Sequence, residues 1–137
     1  MESHVVYPTK KHNRPAPPAK IYLHGIDCIT GPLDIRNQRV FHRPSSNIAF
    51  KDIIEKLKSS LAEALELYPP VAGLVETDEN GKFYLATNPP NETPFLVDVK
   101  EIPFVSGSAE LSPRTDIFLP PGTSTLAVKV TQVILSE

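Results

Sequence analysis

Residues 45–70 constrain the fold more than any other segment of the sequence. Their apolar side chains recur at spacings of three and four, which is typical of a helix with one buried face. The charged residues, Glu63 and Glu66 among them, fall on the opposite face. A helix of about 20 residues with one apolar stripe is marginal by itself, so the rest of the chain must supply a sheet for the stripe to pack against. The stripe consists of Phe50, Ile53, Ile54, Leu57, Leu61, Ala64, Leu65 and Tyr68.

Residues that favour helix boundaries flank this segment. Ser46 or Asn47 is expected to cap the start, because either side chain can accept a hydrogen bond from a free backbone N–H group. Pro69 and Pro70 are expected to end the helix, because the residue before a proline is pushed away from helical angles. The chain holds 15 prolines, roughly twice ordinary usage, and they separate the apolar segments instead of interrupting them.

The apolar segments outside the helix predict strands. Asn80 and Gly81 tolerate the positive φ of a tight turn, so residues 71–87 predict a hairpin. In the last strand Val133 and Leu135 lie on the opposite face from the apolar residues before them, which predicts a bulge near residues 131–132. The other predicted strands are residues 3–9, 20–28, 37–44, 94–102 and 126–135.

This order of elements predicts an α/β or α+β fold, with a mixed sheet of about six or seven strands and one long helix across it. The length predicts a single domain over residues 1–137. Residues 10–20 form a Pro-rich connection, and residues 103–125 have no periodicity, which predicts a long irregular loop. The RPAPP sequence within the connection is either a stiff linker or a ligand for an SH3-type domain.

Composition excludes several classes of function. The formal net charge is −2 and the basic residues are scattered, so no nucleic-acid partner is expected. No apolar run approaches the roughly 20 residues of a membrane-spanning helix, so no membrane partner is expected. The single cysteine, Cys28, cannot form an internal disulfide or a cysteine-built zinc site. A lone cysteine fits a reducing compartment, and we expect a cytoplasmic protein.

No catalytic or metal-binding motif stands out. The four histidines lack the spacing of a metal site, and neither a GxSxG sequence nor a Gly-rich phosphate loop occurs. His24 and Asp27 would face opposite sides of a strand, so Asp27 is expected to form a turn and not a catalytic pair. Neither a metal ion nor a permanently bound cofactor is expected. The histidines are His4, His12, His24 and His42.

A longer pattern resembles the N-terminal part of the BAHD acyltransferases, plant and fungal enzymes that move an acyl group from coenzyme A to an alcohol or amine. It consists of LHGID, VFHRP and LKSSLAEALELYPPVAG, in that order, followed by ENGKFYLAT and TLAVKVTQVILSE. Two positions depart from the family pattern, since Leu74 replaces an arginine and His24 replaces a serine.

The resemblance implies half of a two-half fold similar to that of chloramphenicol acetyltransferase. It implies acyl-CoA as co-substrate and a small-molecule acceptor. In the family the strand before FHRP lines the acceptor pocket, so the resemblance points to Gln38 and Val40 as substrate-binding residues. The alternative is that both occupy ordinary positions in a sheet.

The family's catalytic histidine has no counterpart in this sequence. In those enzymes an HHxxxDG motif follows the strand that corresponds to residues 126–135, and its first histidine is the general base. The motif is missing here, as is the later DFGWG motif, so no catalytic residue is assigned and the chain alone is expected to be inactive. Two roles remain open. The chain is either the N-terminal part of an acyltransferase or a non-catalytic binding or dimerising half-domain. The expected partner, a C-terminal half or a second copy, would pair with the open strand 126–135.

Overall fold

The structure, a computed structural model, describes residues 1–29, 37, 39–88, 90, 92–103 and 124–136. The strands in this part of the chain are β1 (Glu2–Val6), β2 (Lys20–Tyr22), β3 (Leu74–Thr77), β4 (Phe83–Ala86), β5 (Thr93–Pro103) and β6 (Val128–Ser136). The helices are α1 (Gly25–Ile29), α2 (Phe50–Leu67) and a 3₁₀ helix (Pro69–Ala72). Most of the predicted irregular loop, residues 104–123, lies outside the described residues.

The described strands form two sheets of three strands each. In the first sheet β5 lies between β1, which is antiparallel to it, and β6, which is parallel. In the second sheet β4 lies between β2 and β3, both antiparallel. The mixed α/β class is confirmed, but the prediction of one sheet with about six or seven strands is wrong. Because β2 and β3 occupy both edges of β4, that strand has no edge left for the first sheet.

The core lies where α2 packs against the first sheet. Phe95 and Val97 of β5 project towards the helix, and Ile54 and Leu65 project back from it. Phe95 and Leu65 are each 1% exposed. The apolar stripe therefore packs against the sheet as predicted in part, through Phe50, Ile54, Leu61 and Leu65. Leu57, Ala64 and Tyr68, which were predicted to be buried with them, are exposed. The buried cluster consists of Val6, Ile54, Leu65, Ala72, Phe95 and Val97.

The start of α2 differs from the prediction. The N-cap residue is Ala49, and no side chain caps the free N–H groups. The backbone at Ala49 is extended (φ −66°, ψ 144°), so the helix begins at Phe50, downstream of the two predicted caps. Ser46 and Asn47 are therefore not caps, because a cap residue must lie directly before the first helical residue to reach its N–H groups.

The Tyr-Pro-Pro-Val-Ala-Gly sequence after α2 forms a tight reversal of the chain. Pro69 and Pro70 open the 3₁₀ helix, which confirms that α2 ends before them. Ala72 is 2% exposed. A Cβ atom at Gly73 would lie 3.0 Å from the carbonyl oxygen of Pro70 and 3.2 Å from that of Ala86. Glycine suits position 73 because the carbonyl oxygens of Pro70 and Ala86 leave little room for a Cβ atom.

The predicted hairpin is confirmed as β3 and β4. Asp78 Oδ1 accepts hydrogen bonds from the backbone N–H groups of Asn80 and Lys82, both at 2.9 Å. Gly81 adopts a φ of 78°, as the turn requires. Asn80 does not adopt a positive φ, because Asp78 already closes the turn around it.

The last strand contains no bulge. Its pairing with β5 runs without interruption from Phe95 opposite Val128 to Pro103 opposite Ser136. The predicted bulge is wrong, because β6 carries apolar residues on both faces without changing its register. Val133 simply lies on the face away from the helix and remains 38% exposed.

Candidate functional site

Of the two predicted substrate-binding residues, only Val40 is described, and it lies in a segment, residues 39–44, that forms no strand. Gln38 lies outside the described residues. Val40 is described and is 67% exposed, and its neighbour Phe41 is 84% exposed. Residues 39–44 form no helix or strand and lack pairing to either sheet. The prediction of a strand here is wrong for the described residues, because they make no ladder of hydrogen bonds with any described strand. The binding role of Gln38 and Val40 stays a prediction.

The described histidines do not form a catalytic arrangement. His4 Nε2 lies 3.3 Å from Glu2 Oε2 on an exposed part of β1. His12 Nε2 lies 3.6 Å from Glu63 Oε2, a carboxylate that also bonds Lys11 at 2.9 Å. Both pairs are at the surface, and neither faces a nucleophile.

His24 supports the start of α1. Its backbone N–H donates a hydrogen bond of 2.9 Å to Asp27 Oδ2. This contact is one half of a capping box, in which the third residue of a helix reaches back to the residue before it. The predicted strand over residues 20–28 is therefore too long, since β2 ends at Tyr22 and α1 begins at Gly25, and Asp27 acts in the first turn of a helix and not in the predicted turn.

The best-organised polar cluster joins the connection after β1 to the C-terminal half of α2. Glu66 is 8% exposed, and its two carboxylate oxygens accept hydrogen bonds from the Thr9 hydroxyl and from the His12 backbone N–H. The backbone N–H of Thr9 also donates to the carbonyl oxygen of Ala62 at 3.1 Å. The sequence pattern placed Glu66 on the solvent face, and this was wrong, since residues 9–12 cover it.

Two carboxylates in this cluster have lowered pKa values. Burial raises the pKa of Glu66, but hydrogen bonds from Thr9 and from the His12 and Lys11 backbone outweigh it, so the pKa lies below its ordinary value. The Lys11 ammonium bonds Glu63 and lowers its pKa as well. Both groups are therefore held as anions that fasten the connection to the helix. This cluster is structural, because every Glu66 oxygen already has a partner within the chain.

A second cluster covers one face of the small sheet. The hydroxyl of Tyr84 donates to Glu76 Oε2 at 2.7 Å, and the ring centroids of Tyr84 and Tyr22 are 5.7 Å apart. Lys20 Nζ lies 4.7 Å from the centroid of the Tyr84 ring. An aromatic face of this kind attracts cations. Here the chain's own ammonium group occupies it, so the cluster is complete without a ligand.

An ion pair joins β5 and β6 on the sheet face opposite α2. Lys129 Nζ lies 3.5 Å from Asp98 Oδ2, and the two side chains are 8% and 18% exposed. The N-terminal ammonium group of Met1 lies 4.0 Å from the other oxygen of Asp98. This pair supports the parallel register of the two strands, since both groups project from the same face.

β6 is one of the two outer strands of the first sheet, and β1 is the other. Within the described residues, β6 pairs only with β5, so its other edge has no strand beside it. Val133 and Ile134 project to opposite faces of the sheet and are 38% and 46% exposed. The open edge predicted at residues 126–135 is therefore present in the described chain, over Val128–Ser136.

Two further classes of site receive no support from the described part of the chain. No three His, Cys, Asp or Glu side chains there lie close enough together to hold a metal ion. None of its helices combines the length and the apolar character needed to cross a membrane.

No protein-family model matches this chain, and no curated protein or solved structure is significantly similar to it. The resemblance to the acyltransferases therefore depends on the motifs quoted above and on no wider similarity. The most specific of them, the Tyr-Pro-Pro-Val-Ala-Gly sequence, has a packing role in the reversal after α2.

Proposed function

We propose that this chain is the N-terminal part of an acyl-CoA-dependent acyltransferase of the BAHD type, and that it transfers no acyl group by itself. The observation that carries the proposal is the reversal after α2. The motif that most resembles the family joins a sheet-packed helix to a hairpin, its Ala72 is buried, and a Cβ atom at its Gly73 would lie 3.0 Å from the Pro70 carbonyl oxygen. The helix, the reversal, the hairpin and the long strand follow one another along the chain in the same order as the quoted motifs.

The proposed chemistry is transfer of an acyl group from a thioester to a hydroxyl or amine. A general base takes the proton from the acceptor, the acceptor attacks the thioester carbonyl, and coenzyme A leaves as the thiol. His4 is half-buried and paired with Glu2, and the other described histidines are exposed, so this proposal places the base in residues outside this sequence. In this proposal Gln38 and Val40 contribute to the acceptor pocket. The reaction would take place in the cytoplasm, which the lone Cys28 favours.

Release of coenzyme A tests this proposal. A thiol-reactive dye would follow it when purified chain is mixed with acetyl-CoA and a panel of alcohols and amines. The chain alone should release thiol no faster than buffer. The same chain extended in frame by its natural downstream residues should show acceptor-dependent release. The matched control is the extended protein with the first histidine of its HHxxxDG motif changed to alanine. Acceptor-dependent release by the 137-residue chain would contradict the proposal.

We also propose a second function, a half-domain that associates through the free edge of β6. The specific observation is that this edge runs for nine residues, Val128–Ser136, without interruption. Natural sheets usually protect an edge with proline, a bulge or charged side chains. Sedimentation velocity over a range of concentrations tests this function. A dimer is expected, and a monomer at every concentration would contradict it.

A further inference from the structure

We draw no further inference here: the strongest candidate, the exposed apolar patch of Val40 and Phe41 in the segment of residues 39–44, which pairs with none of the described strands, carries nothing because nothing in the structure shows what covers it.

Discussion

Truncation of Leu65 should show how much of the stability depends on α2 packing against the first sheet. Leu65→Ala removes three carbon atoms from a side chain that is 1% exposed. At about 0.8 kcal/mol for each buried methylene-sized group, the transfer contribution is about 2.4 kcal/mol. The closed cavity that remains adds a further cost, so the free energy of unfolding should fall by about 3–4 kcal/mol in total. For a chain of this length the melting temperature should fall by about 10–15 °C.

Leu57→Ala is the matched control, because the same substitution is made in the interior of the same helix. Leu57 is 41% exposed, so the change should cost no more than about 1.4 kcal/mol and leave no closed cavity. Urea unfolding followed by far-ultraviolet circular dichroism measures both free energies. Equal losses for the two variants would refute the packing of α2 described above, since intrinsic helix propensity cannot separate them.

Two other predictions concern the reversal and the polar cluster. Gly73→Ala should lower the melting temperature, because the new Cβ would lie 3.0 Å from the Pro70 carbonyl oxygen, whereas Gly25→Ala should not, because no atom lies within 4 Å of its Cβ position. Similar melting temperatures for the two variants would show that the reversal is loose. The Glu66 pKa lies below its ordinary value in the folded chain. Its contribution to stability is therefore present above the ordinary pKa and lost as pH falls through the lowered one. Glu66→Gln should flatten the acid side of a plot of unfolding free energy against pH, and an unchanged acid side would contradict this role.

Local chemistry made part of the fold predictable from the sequence. The apolar stripe of α2 and its end before Pro69 follow from periodicity and from the backbone restriction that proline imposes. The hairpin follows from Gly81, which supplies the positive φ of the turn. The division into two sheets did not follow, because strand pairing depends on which edges meet and not on the character of each strand.

The polar contacts were less predictable, because they join distant parts of the chain. Glu66 follows the helical charge pattern, and nothing in that pattern indicates that Thr9 and His12 cover it from 57 and 54 positions away. Residues 39–43 show the opposite case. Their strand character is plain in the sequence, yet they pair with none of the described strands.

The central proposal is that this chain is one part of an acyltransferase whose catalytic base lies beyond it. The most direct measurement is the nucleotide sequence of the source transcript past the codon for Glu137. The account predicts an open frame that soon encodes an HHxxxDG motif. A stop codon at that point, or an open frame without the motif, would contradict the proposal.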